Sequence, residues 1–154
     1  IMKNLFITNT ITKIKTTHIP LDTLIYPVGK NDLDNHFNKI IIKDAGNDCI
    51  DLSFGDYHIN HTDLSDCKEK AISVGEKSTL TINSAKITNS NIGVAAKDSS
   101  VVNINTVTTN STSTCFSAYN KKQEFWGGKI TVKKHNCQPN QVFQQKNSLV
   151  EFIQ

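Results

Sequence analysis

Residues 76–83, EKSTLTIN, recur as DSSVVNIN at 98–105, with Ile82 matched by Ile104 and Asn83 by Asn105 at a constant offset of 22. Periods of ~20–50 residues mark stacked repeat architectures, because one repeat cannot bury its own apolar face and must lie on the next. The alignment extends well beyond this pair. CIDLS (49–53), AISVG (71–75), GVAAK (93–97) and CFSAY (115–119) follow at the same step. Their apolar members, Ile50/Leu52, Ile72/Val74, Val94/Ala96 and Phe116/Ala118, alternate with Asp51, Ser73, Ala95 and Ser117. That is the two-residue period of a strand with one buried face.

A second column reads Leu80/Ile82, Val102/Ile104, Ile130/Val132 and Val150/Phe152, and a weaker third holds Leu64, Ile87 and Val107. Polar clusters such as DCKEK, TNSTST and NCQPN separate the columns. Three short strands and three turns per repeat describe one coil of a parallel β-helix. No run of 3.6-residue period is long enough for a helical solenoid. The expected fold is therefore all-β, a right-handed parallel β-helix of about five or six coils. One domain is expected over 1–154, with coils over 38–154 and a loop at 120–128 that leaves the period. Residues 1–37, with Pro20, Pro27 and Gly29, are expected to form an irregular N-terminal cap.

Charge and composition narrow the partners. Every one of the 17 basic residues is Lys, and the net charge is +3. Without Arg, bidentate recognition of carboxylate or phosphate is closed to this chain. Charges are mixed along the sequence, which argues against a nucleic-acid stripe. No apolar run approaches the ~18 residues of a membrane span. The opening IMKNLFITNT lacks a signal-peptide core, and Ile before Met suggests a piece of a longer chain with neighbouring domains.

The segments GNDCIDLS, KAISVGEKS, IGVAAKDSS and AYNKKQEFWGG resemble successive coils of bacterial right-handed parallel β-helix proteins of pectate-lyase-like fold. Some such coils stand beside spore-coat-kinase-like or other surface-associated modules. The resemblance covers roughly Gly46 to Val132. It implies a polysaccharide or glycan partner and a cell-surface or extracellular setting. The wider class holds pectin lyases, polygalacturonases, epimerases and phage tailspikes, so no single reaction follows. This chain also lacks both an Arg to act as a lyase base and a Gly-His-Gly element of the polygalacturonase kind. No catalytic residue is carried over.

The richest constellation falls on one corner. Ser53-Phe54, Gly75-Glu76, Lys97-Asp98 and the loop after Tyr119 align there, with Asp51 just before the turn. Asp51, Glu76 and Asp98 are the candidate catalytic carboxylates, or ligands for a bound divalent cation such as calcium. Tyr119, Lys97, Lys121, Lys122, Glu124 and Trp126 are the candidate ligand-binding residues, with aromatic rings suited to stacking on sugar faces. Against this stands a structural reading: opposite charges on adjacent coils pair and fix register, and the aromatics pin the loop.

His58 and His61 face opposite sides of a strand, so no metal site is expected there. Cys49 and Cys115 share one column and Cys67 and Cys137 another, each pair three coils or ~14 Å apart at strand spacing. Disulfides need Cα atoms within ~7 Å, so free thiols and a reducing setting are expected. Three functions stand open: a carbohydrate-binding or surface-interaction module, a polysaccharide-active enzyme, and a structural spacer or assembly domain.

Overall fold

The computed structural model describes residues 14–19, as backbone, and residues 36–154. The chain runs through β1 (Ile14–Ile19), β2 (His36–Ala45), β3 (Ile50–Ser53), β4 (Asp56–Cys67) and β5 (Lys70–Gly75). It continues through β6 (Thr79–Lys97), β7 (Val101–Tyr119), β8 (Lys129–His135), a 3-10 turn (Pro139–Gln141), β9 (Val142–Gln144) and β10 (Leu149–Phe152). Every pairing among these strands is parallel, along the order β1-β2-β4-β6-β7-β8-β10, with β3, β5 and β9 attached beside it. The result is a parallel β-solenoid of about five turns. No helix among the described residues is long and apolar enough to cross a membrane.

Register follows the sequence period. Tyr57, Leu80, Val102, Ile130 and Val150 stack in one column, and Ile59, Ile82, Ile104, Val132 and Phe152 in the next. Ile50, Ile72, Val94 and Phe116 form another, all fully buried. Burial of a branched aliphatic contributes about 1.5–3 kcal/mol relative to leaving it exposed, and the effect recurs at each coil. The third column differs from expectation. Leu64 and Ile87 lead to Thr109, whereas Val107 lies over Ala85 and Thr62. The step from Leu64 to Ile87 is 23 residues and that from Ile87 to Thr109 is 22, so Val107 falls two positions short of the column.

Left-handed residues make two of the corners. Asp44, Asp66, Asn89 and Ser111 stack at φ of 53 to 61°. Asp and Asn tolerate this region because their short side chains bond locally. Phe54, Glu76, Lys77, Asp98 and Ser99 share the same conformation at the corner singled out above. At the bend between them, Asn38, Asn60, Asn83 and Asn105 form a ladder, each amide nitrogen donating to the preceding side-chain oxygen at 3.0–3.1 Å.

The loop at 120–128 lies between β7 and β8, as the break in period predicts. It closes where the Gly128 N–H meets the Tyr119 carbonyl at 3.2 Å. A Cβ on Gly128 would sit 2.1 Å from the Ala96 oxygen, so only glycine fits this approach. At the other end, β1 pairs with β2 at Ile14↔Ile42, Lys15↔Lys43 and Ile19↔Ala45, so parallel stacking enters the stretch expected to be a cap. The rest of residues 1–35, including the excursion with Pro20, Pro27 and Gly29, lies outside the described residues.

The cysteines correct the expectation of free thiols. Cys49 is bonded to Cys67 and Cys115 to Cys137, with Cα separations of 5.4 and 6.2 Å. The bonds join positions across a corner rather than along a column. Cys67 pairs with Ala45, and the Cys49 N–H bonds the Lys70 carbonyl, so the two cysteines flank one bend on neighbouring coils. Cys137 does not share the Cys67 column. His135 pairs with Val107, which brings Cys137 beside Thr109, whose hydroxyl lies 3.3 Å from Cys115 Sγ and 3.4 Å from Cys137 Sγ.

Candidate functional site

The corner at 54/76/98/126 is built by backbone bonds from coil to coil. Phe54 N–H donates to Glu76 O, Lys77 N–H to Asp98 O, and Ser99 N–H to Trp126 O, at 2.8–3.3 Å. Phe54 and Trp126 are thus three coil steps apart, ~14 Å at strand spacing. Phe54 is 68% and Trp126 74% exposed. Phe54 also holds φ 52°, a conformation that disfavours a bulky side chain by about 1–2 kcal/mol.

Asp98 and Glu76 are tied to the chain's own groups at this corner, while Asp98 Oδ2 and Asp51 Oδ1 are buried without a hydrogen-bond partner among the described residues. Asp98 is fully buried, and its Oδ1 accepts the Lys121 and Lys122 N–H groups at 2.7 and 2.8 Å. It anchors the loop and is out of reach of a substrate. Glu76 accepts a hydrogen bond from Ser53 Oγ at 2.5 Å and pairs with Lys122 Nζ at 2.6 Å. Burial pushes the Glu76 carboxyl up, but the bonds from Lys122 and Ser53, with the charges of Lys122 and Lys97, hold it below its ordinary value. Asp51 faces Lys97 Nζ at 3.9 Å. Lys97 is buried and lies across Gly75, where a Cβ would come within 2.9 Å of its Cε.

Of the nine residues expected to form the site, Glu76, Asp98, Lys121, Lys122 and Trp126 come together at the corner, and Asp51 pairs with Lys97 beside it. Tyr119 is half-buried, and burial pushes its phenol up, so it presents no open platform. Glu124 and Lys121 are exposed on the loop. Phe125 is half-buried, with Lys77 Nζ 6.0 Å from its ring centroid. The Trp126 backbone is bonded to Ser99, while its ring is exposed.

Beside the asparagine ladder runs an open cleft of about 420 Å³, with His58, Thr81, Asn103, Asn105, Thr131 and Lys133 among its lining. Sequence comparison caught only the Asn83/Asn105 rungs, because Asn60 lies 23 rather than 22 residues before Asn83. His58 stacks on His36 with ring centroids 5.1 Å apart, while His61 pairs with Lys39 on the other side of the bend. Among the described residues, no group of three or more His, Cys, Asp or Glu side chains gathers to hold a metal.

A buried ion pair also escaped sequence reading. Lys70 Nζ lies 3.2 and 3.3 Å from the two Asp48 oxygens and also bonds Glu69. Asp48 and Lys70 are one period apart, 70 − 48 = 22, and an acid–base pair at the repeat interval was the signal available. Among known proteins, the chain matches no family model, no curated protein and no solved structure.

Proposed function

We propose that this solenoid is a carbohydrate-binding or surface-interaction module whose ligand runs along the 54/126 corner. The observation that carries the reading is Trp126. Its backbone is fixed by two bonds to Ser99, yet its ring is 74% exposed. A rigidly held, exposed indole offers a flat apolar face at low entropic cost, as sugar rings require. Phe54 supplies a second ring on the same corner, and Lys121 lies exposed on the loop. Two disulfides suit an oxidising, extracytoplasmic setting.

A glycan-array screen followed by titration on Trp126 fluorescence tests this. Trp126→Ala should abolish binding, and Phe54→Ala should weaken it, with little change in Tm. A Trp126→Ala protein that melts early but still binds would make the ring a clasp and end the proposal. Hydrolysis or elimination of a bound polysaccharide, lost in Glu76→Gln, would instead establish the enzyme reading.

The assembly reading has its own observation. Phe143, Leu149, Phe152 and Ile153 are 38–52% exposed on the last coil. Exposed apolar groups beside open strand edges are a template for further stacking. Concentration-dependent association in sedimentation, lost in Phe143→Lys with Phe152→Lys, is its expected signature.

A further inference from the structure

Lys70 and Asp48 stand on adjacent coils, 7% and 4% exposed. The Lys70 N–H donates to Asp48 Oδ1 at 2.9 Å, and Lys70 Nζ reaches both oxygens of the same carboxyl at 3.2 and 3.3 Å. A second carboxylate, Glu69, bonds the same ammonium from a half-exposed position. From this geometry we infer that Lys70 and Asp48 condense to an intramolecular isopeptide bond, with Glu69 as the proton carrier.

The driving force is desolvation. In water an amine and a carboxylic acid resist condensation, because both are stabilised as ions. Burying both ions removes much of that hydration, at a penalty of several kcal/mol per ion. An amide and a released water leave neither charge inside. Burial pushes the Asp48 carboxyl up against the pull of Lys70, which raises its neutral, electrophilic fraction. Burial alone would lower Lys70, but Glu69 and Asp48 together hold its proton on. The reaction therefore waits on Glu69.

The step balances within the chain. Glu69 takes a proton from Nζ, and the freed amine attacks Cγ of protonated Asp48. The C–OH bond then breaks as Glu69 returns its proton to the departing hydroxyl, and the Glu69 carboxylate then takes the second proton that the nitrogen must lose to become an amide, ending neutral in place of the protonated Asp48. One water leaves, through the half-exposed Glu69 side. No oxidant, metal or co-reactant is needed. The product joins two coils next to the Cys49–Cys67 bridge, so that bend carries two covalent links.

Intact mass spectrometry of the folded protein tests the inference. The expected mass is that of the chain with two disulfides, less one water. After reduction and digestion, the peptides bearing Asp48 and Lys70 should remain joined. Asp48→Asn should cross-link with loss of ammonia in place of water. Lys70→Arg, which keeps the charge but cannot condense by this route, should show full mass, and Glu69→Gln should slow the bond in a time course after refolding. Full mass in the wild-type protein overturns the inference. So does a missing water with separable peptides, which would mark a succinimide at an aspartate instead.

Discussion

Ser99 and Trp126 hold each other in both directions: the Ser99 N–H donates to the Trp126 carbonyl at 2.8 Å, and Ser99 Oγ accepts the Trp126 N–H at 2.8 Å. Beside them Asp98 accepts two more loop N–H groups. The loop is therefore fastened by polar bonds from the preceding coil. Asp98→Ala should strand two N–H groups, at about 1–3 kcal/mol for each that stays buried. Asp98→Asn keeps an accepting oxygen and tolerates φ 55°, so it should lose far less. Hydrogen exchange over residues 120–128 separates the two, with fast exchange in Asp98→Ala only. Equal exchange in both variants would assign the role to charge rather than to acceptance.

The core gives a sharper expectation. Ile82 is fully buried between Ile59 and Ile104 on the adjacent coils. Ile82→Ala should cost about 2–5 kcal/mol through lost transfer energy and the cavity left behind. Ile82→Asp should not fold, since it sets an unpaired charge among aliphatics on both sides. A cooperative thermal transition in Ile82→Asp would show that the column is not packed as described.

The fold was legible because stacking forces repetition. Ile82 must meet Ile104, and Ile72 must meet Val94, so the inward residues recur at the coil length. What failed were relations that cross a bend. Cys49 and Cys67 are 18 apart, a distance with no meaning in a 22-residue alignment, yet the turn after Ala45 brings them together. Val107 does not belong with Leu64 and Ile87 because it lies two residues short of Thr109, the position one coil beyond Ile87, and so stacks over Ala85 instead. At the site, the alignment placed Glu76, Asp98 and Trp126 on one corner. It could not tell that Asp98 faces inward to the loop backbone while Trp126 faces water, since a shared corner position does not fix which way a side chain turns.

The disulfides carry a separate prediction. They close loops with sequence separations of 18 and 22 residues. Loop-closure entropy puts each at about 3 kcal/mol. Thermal melts with reductant should fall well below those without, and Cys115→Ser with Cys137→Ser, measured without reductant, should reproduce part of that drop. A thiol reagent should find no free cysteine in the denatured, unreduced chain. Two or more reactive thiols would remove the corresponding bridge.

Glu76 predicts how the corner answers acid. Its carboxyl is held below its ordinary value of 4.5 by Lys122 and Ser53, against the effect of burial. A group with a depressed folded pKa stabilises the fold at pH above its unfolded value, and that contribution is lost as pH falls through the folded one. The advantage of the wild type over Glu76→Gln should therefore be full near neutral pH. It should shrink progressively below about pH 4.5, as both states take up the proton. Asp48 runs the other way: its raised carboxyl gains a proton more readily folded than unfolded, so mild acid favours the fold through that group while it remains uncondensed. Denaturant midpoints measured for wild type and Glu76→Gln across the acid range isolate the first effect, because Asp48 is common to both. A difference that grows as pH falls would reverse the sign and show that Lys122 does not stabilise the ionised Glu76.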